Sequence, residues 1–410
     1  MPPSPPTFNA TTLSPTDILP AQWAFETLKI DDKQVKNAPP PPSKPVASKP
    51  RPTVEELKRS PSFWYGPDIA KRPQDWTRYL TSDEVAEIRS AIDFAKKKYS
   101  HLSIEEIIPI IRKEDFPLPK FAGEIEKIYQ KVVNGNGFFL LEGLPVREWS
   151  IPDISLAYFG IGSYIGEAVS QNAMGHILGH VKDVGGDASN PATRIYRTRE
   201  KQFFHADACD IVGLLTLRTA KEGGLSSLAS SYAVYYEILR QRPDLLAVLE
   251  SDDNYWDRKN EVPPGKEKFF KGPVFNWFKG RLCSHNDPTF THAAQRHPEV
   301  PRMSDVQKEA FDFLEKTCLR DDVRVDMELK EGDIQFVHNP HIFHARSRYV
   351  DHDKFEDRRH LLRLWLSNPR GIELPDSTFA EWYNGPVTVG KRRGGIYMDG
   401  MKIKAPLEAE

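Results

Sequence analysis

A chain of 410 residues with 39% apolar and 11% aromatic side chains can build a sizeable core, as one large domain with embellishments or as two domains. Its 56 Lys and Arg nearly balance its 58 Asp and Glu, and the net charge of -2 excludes a dedicated nucleic-acid or polyanion binder. No apolar run approaches the roughly 18 residues that span a bilayer, and no basic stretch leads into an apolar one at the start, so neither a membrane span nor a secretory signal is expected. Cys209, Cys283 and Cys318 are too widely spaced for a metal pair and read as reduced thiols of a cytoplasmic protein.

Residues 1 to about 53 hold 13 of the 34 prolines, including Pro39 to Pro42. Such a segment has little to bury and is expected to be extended or disordered. Within it, Trp23 to Leu28 is a candidate docking element for the body or for a second copy of the chain, which would make a homodimer. The plainer reading is a mobile tail. Residues 54–410 read as a single folded domain.

Thr81-Ser82-Asp83-Glu84 carries the cap and first-turn acids of a helix start. Val85, Ile88, Ile92, Phe94 and Ala95 recur at helical spacing up to Lys98. Residues 121–133 predict a second helix, Phe138 to Leu141 a buried strand stopping at Glu142-Gly143, and residues 154–165 a helix after Pro152. Ala168 to Val181 mixes Ser170, Gln171 and Asn172 with apolar residues, which suits a strand lining a cavity or an ordinary edge strand. Ile211 to Leu217 is a buried strand. Ser230-Ser231 opens a helix that runs to about Arg240 and stops before Pro243. Residues 252–300 are polar and turn-rich, an insertion read as a lid. Ser304 caps a helix to Cys318, with Val306, Ala310, Phe313 and Leu314 on one face. Val323 to Leu329 alternates, and Glu331-Gly332-Asp333 turns into Ile334 to Val337, a predicted hairpin. Residues 359–366 form a last apolar strand. Short strands with helices mostly earlier suit a jelly-roll barrel, whose mouth is a natural small-molecule site.

The chemistry concentrates in Gln202 to Asp207. On a strand, His205 and Asp207 share a face, and an imidazole with a carboxylate there can grip one metal ion. About one H-x-D is expected by chance in such a chain. The other, His285-Asn286-Asp287, lies in a polar stretch that reads as loop. For a third ligand there are His338, His341, His344 and His360. If 338–344 is one strand, His338 and His344 share a face and His341 points away; His344 follows apolar Ile342-Phe343, as an inward ligand should. Arg359, Leu361, Arg363 and Trp365 also share a face. Two arginines inside a barrel need anions, unless they reach solvent or local acids such as Glu356 and Asp357. Ser226 and Ser227 follow a Gly-Gly turn, where a hydroxyl could assist a carboxylate or simply serve the turn.

Taken together, H-A-D at 205–207, G-G-L-S at 223–226, N-P-H-I-F-H-A-R at 339–346 and R-R-H-L-L-R-L-W at 358–365 resemble the TauD/TfdA (taurine dioxygenase-like) family of Fe(II)/2-oxoglutarate-dependent oxygenases. The resemblance spans about 138–370, and the proline-rich head is similar to that of fungal members. It implies an α+β, mainly β fold: a double-stranded β-helix, jelly-roll or cupin-like, with flanking helices. It implies Fe(II) held by His205, Asp207 and His344, with 2-oxoglutarate chelating the iron and its distal carboxylate on Arg359. Ser226 stands where the family usually has a Thr touching that carboxylate. Arg363 matches an arginine that meets an acidic substrate group, and Gln171 and Asn172 lie in a region that commonly lines the substrate pocket. O2 would be consumed, succinate and CO2 released, and a C–H bond oxidised by hydroxylation, desaturation or ring closure. His338 departs from a position where Asp or Asn is frequent, and His341 is extra; only His344 has the H-x-R ending.

Two other readings keep the histidines. A non-catalytic metal-binding barrel would not need both inward arginines, and a Zn hydrolase could use the same three ligands. The expected substrate is small and carboxylate-bearing, an amino acid or a secondary-metabolite precursor, because Arg363 could clamp its acid. No nucleic-acid or membrane partner is expected.

Overall fold

The structure is a computed structural model and describes residues 51–409. The Trp23 to Leu28 docking element lies outside them. Arg51 pairs with Glu250 at 2.8 Å, and Thr53 caps the first helix among the described residues, Val54–Lys58.

Seventeen strands follow along the described chain: β1 (Thr77–Tyr79), β2 (Phe138–Glu142), β3 (Glu167–Ala168), β4 (Gly179–Lys182), β5 (Gln202–His205), β6 (Ile211–Arg218), β7 (Glu222–Gly223), β8 (Ser226–Ser230), β9 (Tyr255–Asp257), β10 (Phe269–Lys271), β11 (Phe275–Phe278), β12 (Arg281–Ser284), β13 (Arg324–Met327), β14 (Ile334–His338), β15 (Ile342–Arg346), β16 (Tyr349–Val350) and β17 (His360–Ser367). Two sheets make the barrel. The larger has the order β1-β2-β14-β6-β17-β3, with β4 also paired to β17; the smaller has the order β13-β8-β15-β5. Every pairing in them is antiparallel except β1 with β2. This is the jelly-roll expected.

The period-2 alternation of strands decides which side chains meet inside. Leu361 and Trp365 of β17, Val212 of β6, Val337 of β14 and Leu228 of β8 pack between the sheets. Leu362, Leu364 and Leu366 point outward onto Ser82–Lys98, Phe121–Asn134 and Ile151–Ile165. Phe204, Ala229 and Phe343 leave the smaller sheet outward onto Ser231–Gln241, Pro243–Leu249 and Asp305–Cys318. Each fully buried Leu, Ile or Phe contributes roughly 1.5–3 kcal/mol, so both sheets are clamped by apolar layers on two faces.

Local signals set the helix starts. Thr81 and Glu84 form the reciprocal cap of Ser82–Lys98, Glu84 N to Thr81 Oγ1 at 3.3 Å and Thr81 N to Glu84 Oε2 at 2.8 Å. Ile151–Ile165 lies close on β17 because Gly162 has no side chain; a Cβ there would stand 2.7 Å from Leu364. Among the described residues no helix is long and apolar enough to cross a membrane.

Four expectations need correction. Residues 168–181 are not one strand: β3 ends at Ala168, β4 begins at Gly179, and the intervening loop is held by its own hydrogen bonds. In Asp305–Cys318 the buried face includes Phe311, while Val306 is exposed, and Phe94 is likewise exposed on its helix. Glu331-Gly332-Asp333 does not close a hairpin, since β13 pairs in the smaller sheet and β14 in the larger. A strand can cross between sheets in the space of a turn, and the turn's residues look the same either way. His338 and His344 belong to β14 and β15, in opposite sheets.

Candidate active site

β15 lies beside β5 with His344 directly opposite His205, and the two ring centres are 4.0 Å apart. Asp207 follows two residues after β5 ends. Its backbone N–H donates to Asn339 Oδ1 (3.0 Å), and Asn339 Nδ2 donates to Cys209 O (2.9 Å). The asparagine between β14 and β15 therefore pins the loop that carries the aspartate. One ligand atom from each of His205, Asp207 and His344 lies within 4.8 Å of the other two, and all three residues are buried.

The electrostatics suit a cation. His205 Nδ1 donates to Phe203 O (2.8 Å), which leaves Nε2 with a lone pair that accepts from Gln202 Nε2 (2.9 Å). Burial, then the neighbouring His344, pull the His205 pKa down to about 4, so the imidazole is neutral. Burial alone would raise the Asp207 carboxyl, but Arg363 and His344 outweigh it and hold it well below the usual range. Asp207 Oδ2 is buried without a hydrogen-bond donor and lies 3.7 Å from His344 Nε2. A buried, ionised, donor-free oxygen between two imidazoles fits a divalent metal.

Two further buried arginines, Arg346 and Arg359, carry open donors. Arg359 is 6% exposed, its Nη1 has no partner, and no carboxylate among the described residues forms an ion pair with it. Burial, then Arg346, push its pKa down to about 9. Arg346, two residues beyond His344, donates through Nη2 to Thr198 O and Glu200 O, while its Nε and Nη1 are unpartnered. Both guanidinium groups lie about one ring's breadth from Tyr349, at 4.9 and 5.1 Å. Thr216 Oγ1, on β6, is a third orphan. Such a set fits an acid group of a co-substrate. Ser226 is buried, and its Oγ donates to Gln335 Oε1 (3.1 Å).

Arg363 faces the metal corner, its Nη1 3.4 Å from Asp207 Oδ1. Gln171 grips it from behind: Oε1 accepts from Arg363 Nε (2.8 Å) and Nε2 donates to Arg363 O (2.8 Å). Gly179 makes room for this, because a Cβ there would stand 2.4 Å from Gln171 Oε1. Asn172 instead closes its own loop, accepting from Met174 N and His176 N, and does not reach the cavity.

That cavity is lined by Asp207, Arg363, Tyr196, Trp365, Arg194 and Phe290 among others. Arg194 was not singled out by sequence reasoning. It pairs with Glu261, and its guanidinium lies 5.8, 5.3 and 5.7 Å from the rings of Tyr196, Phe290 and Trp365. Neither it nor Phe290 sits in a periodic stretch, so spacing carried no signal for them.

Residues 103–365 match the family described as taurine catabolism dioxygenase TauD, TfdA family. FR-33289 synthase of Streptomyces rubellomurinus (strain ATCC 31215) is 29% identical over 333 residues, covering 79% of this chain and 95% of that protein. Taurine hydroxylase-like protein SAT17 of Stachybotrys chartarum (strain CBS 109288 / IBT 7711) is 28% identical over 313 residues, covering 73% of this chain and 77% of that one. Among solved structures, asparagine oxygenase in complex with Fe(II), hydroxyasparagine and succinate superposes with a TM-score of 0.54 at 14% identity, over 72% of this chain and 95% of that one. The non-heme iron oxygenase OrfP in complex with Fe and alpha-ketoglutaric acid superposes with a TM-score of 0.50 at 15% identity, over 71% and 94%. At such identities the superpositions speak for the shared barrel alone. The family match covers well over half the chain and takes in every barrel strand but β1 and the last two residues of β17, and on that ground the chain belongs to the TauD/TfdA family of non-haem iron, 2-oxoglutarate-dependent dioxygenases.

Proposed function

We propose that His205, Asp207 and His344 hold Fe(II), that Arg359 takes the distal carboxylate of 2-oxoglutarate, and that Arg363 takes the acid group of a small substrate. When bound, iron and 2-oxoglutarate supply O2 activation, coupling release of succinate and CO2 to oxidation of a C–H bond. The chain's own residues do the rest. Asn339 and the β5–β15 pairing orient the three side chains that would hold the metal. Arg346 adds unpartnered donors beside the Tyr349 ring that Arg359 also faces, and Ser226 acts through Gln335. Gln171 holds the guanidinium of Arg363 at a fixed angle, and the aromatic walls exclude water from the bond to be oxidised. Whether the outcome is hydroxylation, desaturation or oxidative cyclisation depends on which C–H bond these contacts present.

The observation that carries this reading is the pairing of an orphaned Asp207 oxygen between two imidazoles with orphaned donors on buried Arg359. A metal-storage barrel has no use for the second feature. A Zn hydrolase has no need of two inward arginines. For the substrate class, an amino acid or related secondary-metabolite precursor is the reading favoured by Arg363. Asparagine oxygenase has been captured with hydroxyasparagine and OrfP with (3S)-hydroxy-L-Arg, which makes free amino acids the first panel to screen. The test is succinate release by the Fe(II)-loaded protein across small acids. Stimulation by one of them is the expected result; no consumption of 2-oxoglutarate at any iron loading would overturn the proposal.

A further inference from the structure

The second H-x-D of the sequence, His285-Asn286-Asp287, runs along the open edge of β5. Asn286 O accepts from Ala206 N (2.8 Å), and Asn286 Nδ2 donates to Phe204 O (2.8 Å). These two bonds fix Asp287 beside the corner formed by His205 and Asp207, on the wall of the cavity that Arg363 also lines. The carboxylate is anchored on one side only. Oδ1 accepts from Thr289 N (2.9 Å) and from Thr289 Oγ1 (2.7 Å). No ion pair within 4.0 Å forms to either oxygen among the described residues.

The cations nearby are committed elsewhere. Arg194 is turned onto Glu261, and Lys259 gives a hydrogen to Pro191 O (2.6 Å), although both feel the charge of Asp287 at longer range. The result is a cavity with a guanidinium on one side, a carboxylate with an uncommitted oxygen on another, and aromatic rings between them. Such a cavity is matched by a ligand that carries both an acid and an N–H-bearing cation.

We infer that Asp287 holds the protonated amine of a zwitterionic substrate whose acid group lies on Arg363, so that two charged anchors fix which C–H bond faces the metal corner. The inference rests on the oxygenase reading above and narrows its substrate to α-amino acids and close relatives. A site built to pair a charge discriminates strongly against an analogue lacking the partner, because its own group is then left unpaired.

The experiment uses the full chain loaded with Mn(II) and 2-oxoglutarate, which assembles the site without turnover. It is titrated calorimetrically with those amino acids that stimulate succinate release by the Fe(II) protein, and with the same acids lacking the amine. The wild type should bind the amine-bearing form at least about tenfold more tightly. Asp287→Asn and Asp287→Ser both keep a side-chain oxygen to cap Thr289 N, so the helix start survives. In both, the amine preference should fall to less than about twofold, while 2-oxoglutarate affinity moves little. The inference is overturned if folded variants keep the wild-type preference, if the wild type binds the amine-free acid equally well, or if no amino acid stimulates a protein that does consume 2-oxoglutarate. Absence of any 2-oxoglutarate consumption would sink the oxygenase reading itself, a separate outcome.

Discussion

His344 faces His205 across the β5–β15 pair, and its Nε2 stands 3.7 Å from the orphaned Oδ2 of Asp207. Two strands and one loop therefore deliver three donors to a single point. Loss of one donor leaves a two-point site. Mutations of mere supporting partners already cost 10–100-fold in metal affinity. His344→Ala and Asp207→Ala should each weaken Fe(II) or Mn(II) binding on the order of 100-fold or more. Equilibrium dialysis would measure this; wild-type affinity in both variants would remove the assignment.

The two buried arginines should separate kinetically. Arg359→Leu removes a buried guanidinium with an unpartnered Nη1 and should raise the 2-oxoglutarate requirement. Arg363→Leu should raise the substrate requirement instead. A charge-assisted hydrogen bond is worth roughly 1.5–3 kcal/mol, so each KM should move about 10- to 100-fold with the other changing far less. Gln171→Ala should follow Arg363→Leu more weakly, because it loosens the guanidinium without deleting it. Gly224→Ala should follow Arg359→Leu. Gly224 has φ +74°, and a Cβ would stand 2.8 Å from Arg359 Nε. If both arginine variants shift the same KM, the division of labour is wrong.

What was legible in the sequence followed the alternation of strands. An even spacing put His205 with Asp207, and Arg359 with Arg363; the structure brings His205, Asp207 and His344 together, with Arg363 beside Asp207 and Arg359 buried, although Asp207 itself lies on the loop past β5. What was illegible depended on partners far away in the chain. Gln171 reads as a pocket residue until Gly179, opposite Arg363, makes room for it behind the guanidinium. Asn339 drew no role from the motif that contains it, yet it pins the Asp207 loop. The turn at Glu331 to Asp333 is equally suited to a hairpin and to a crossing between sheets, and only the pairing of β14 with β2 and β6 decides. Asp287 was set aside because its surroundings are polar; the bonds from Asn286 to β5 are what give it a place.

The Asp207 loop also depends on a buried ion pair. Arg393 Nε lies 3.0 and 2.8 Å from the two oxygens of Asp210, both side chains are fully buried, and Asp210 Oδ2 accepts from Asn368 N (2.7 Å). Removing one partner strands a charge in the interior, which typically costs about 3–5 kcal/mol. Arg393→Met should lose stability of that order in urea unfolding. Adding Asp210→Asn should restore part of it, since the stranded charge is gone. A single variant within about 0.5 kcal/mol of wild type would show that the pair carries no such role.

Asp333 gives the protein a pH dependence of defined sign. It is buried in the crossing turn, where Oδ2 accepts from Lys330 N (2.7 Å). Burial pushes its carboxyl up to about 7; the Lys330 N–H opposes the rise and nearby Glu142 adds to it. The unfolded chain releases this proton near pH 4, whereas the folded chain keeps it until about 7. Between those values the native state binds more protons than the unfolded one, so stability falls as pH rises, then levels off above 7. Asp333→Asn keeps an acceptor for Lys330 N and removes the titration. It should match wild type near pH 4 and exceed it by roughly 1–3 kcal/mol above pH 7, the upper part of the full linkage being discounted for relaxation around the ionised group. Urea midpoints at pH 4, 6 and 8 test this: a stability difference that stays constant, or one that shrinks as pH rises, would mean Asp333 ionises in the folded protein as readily as in the unfolded chain.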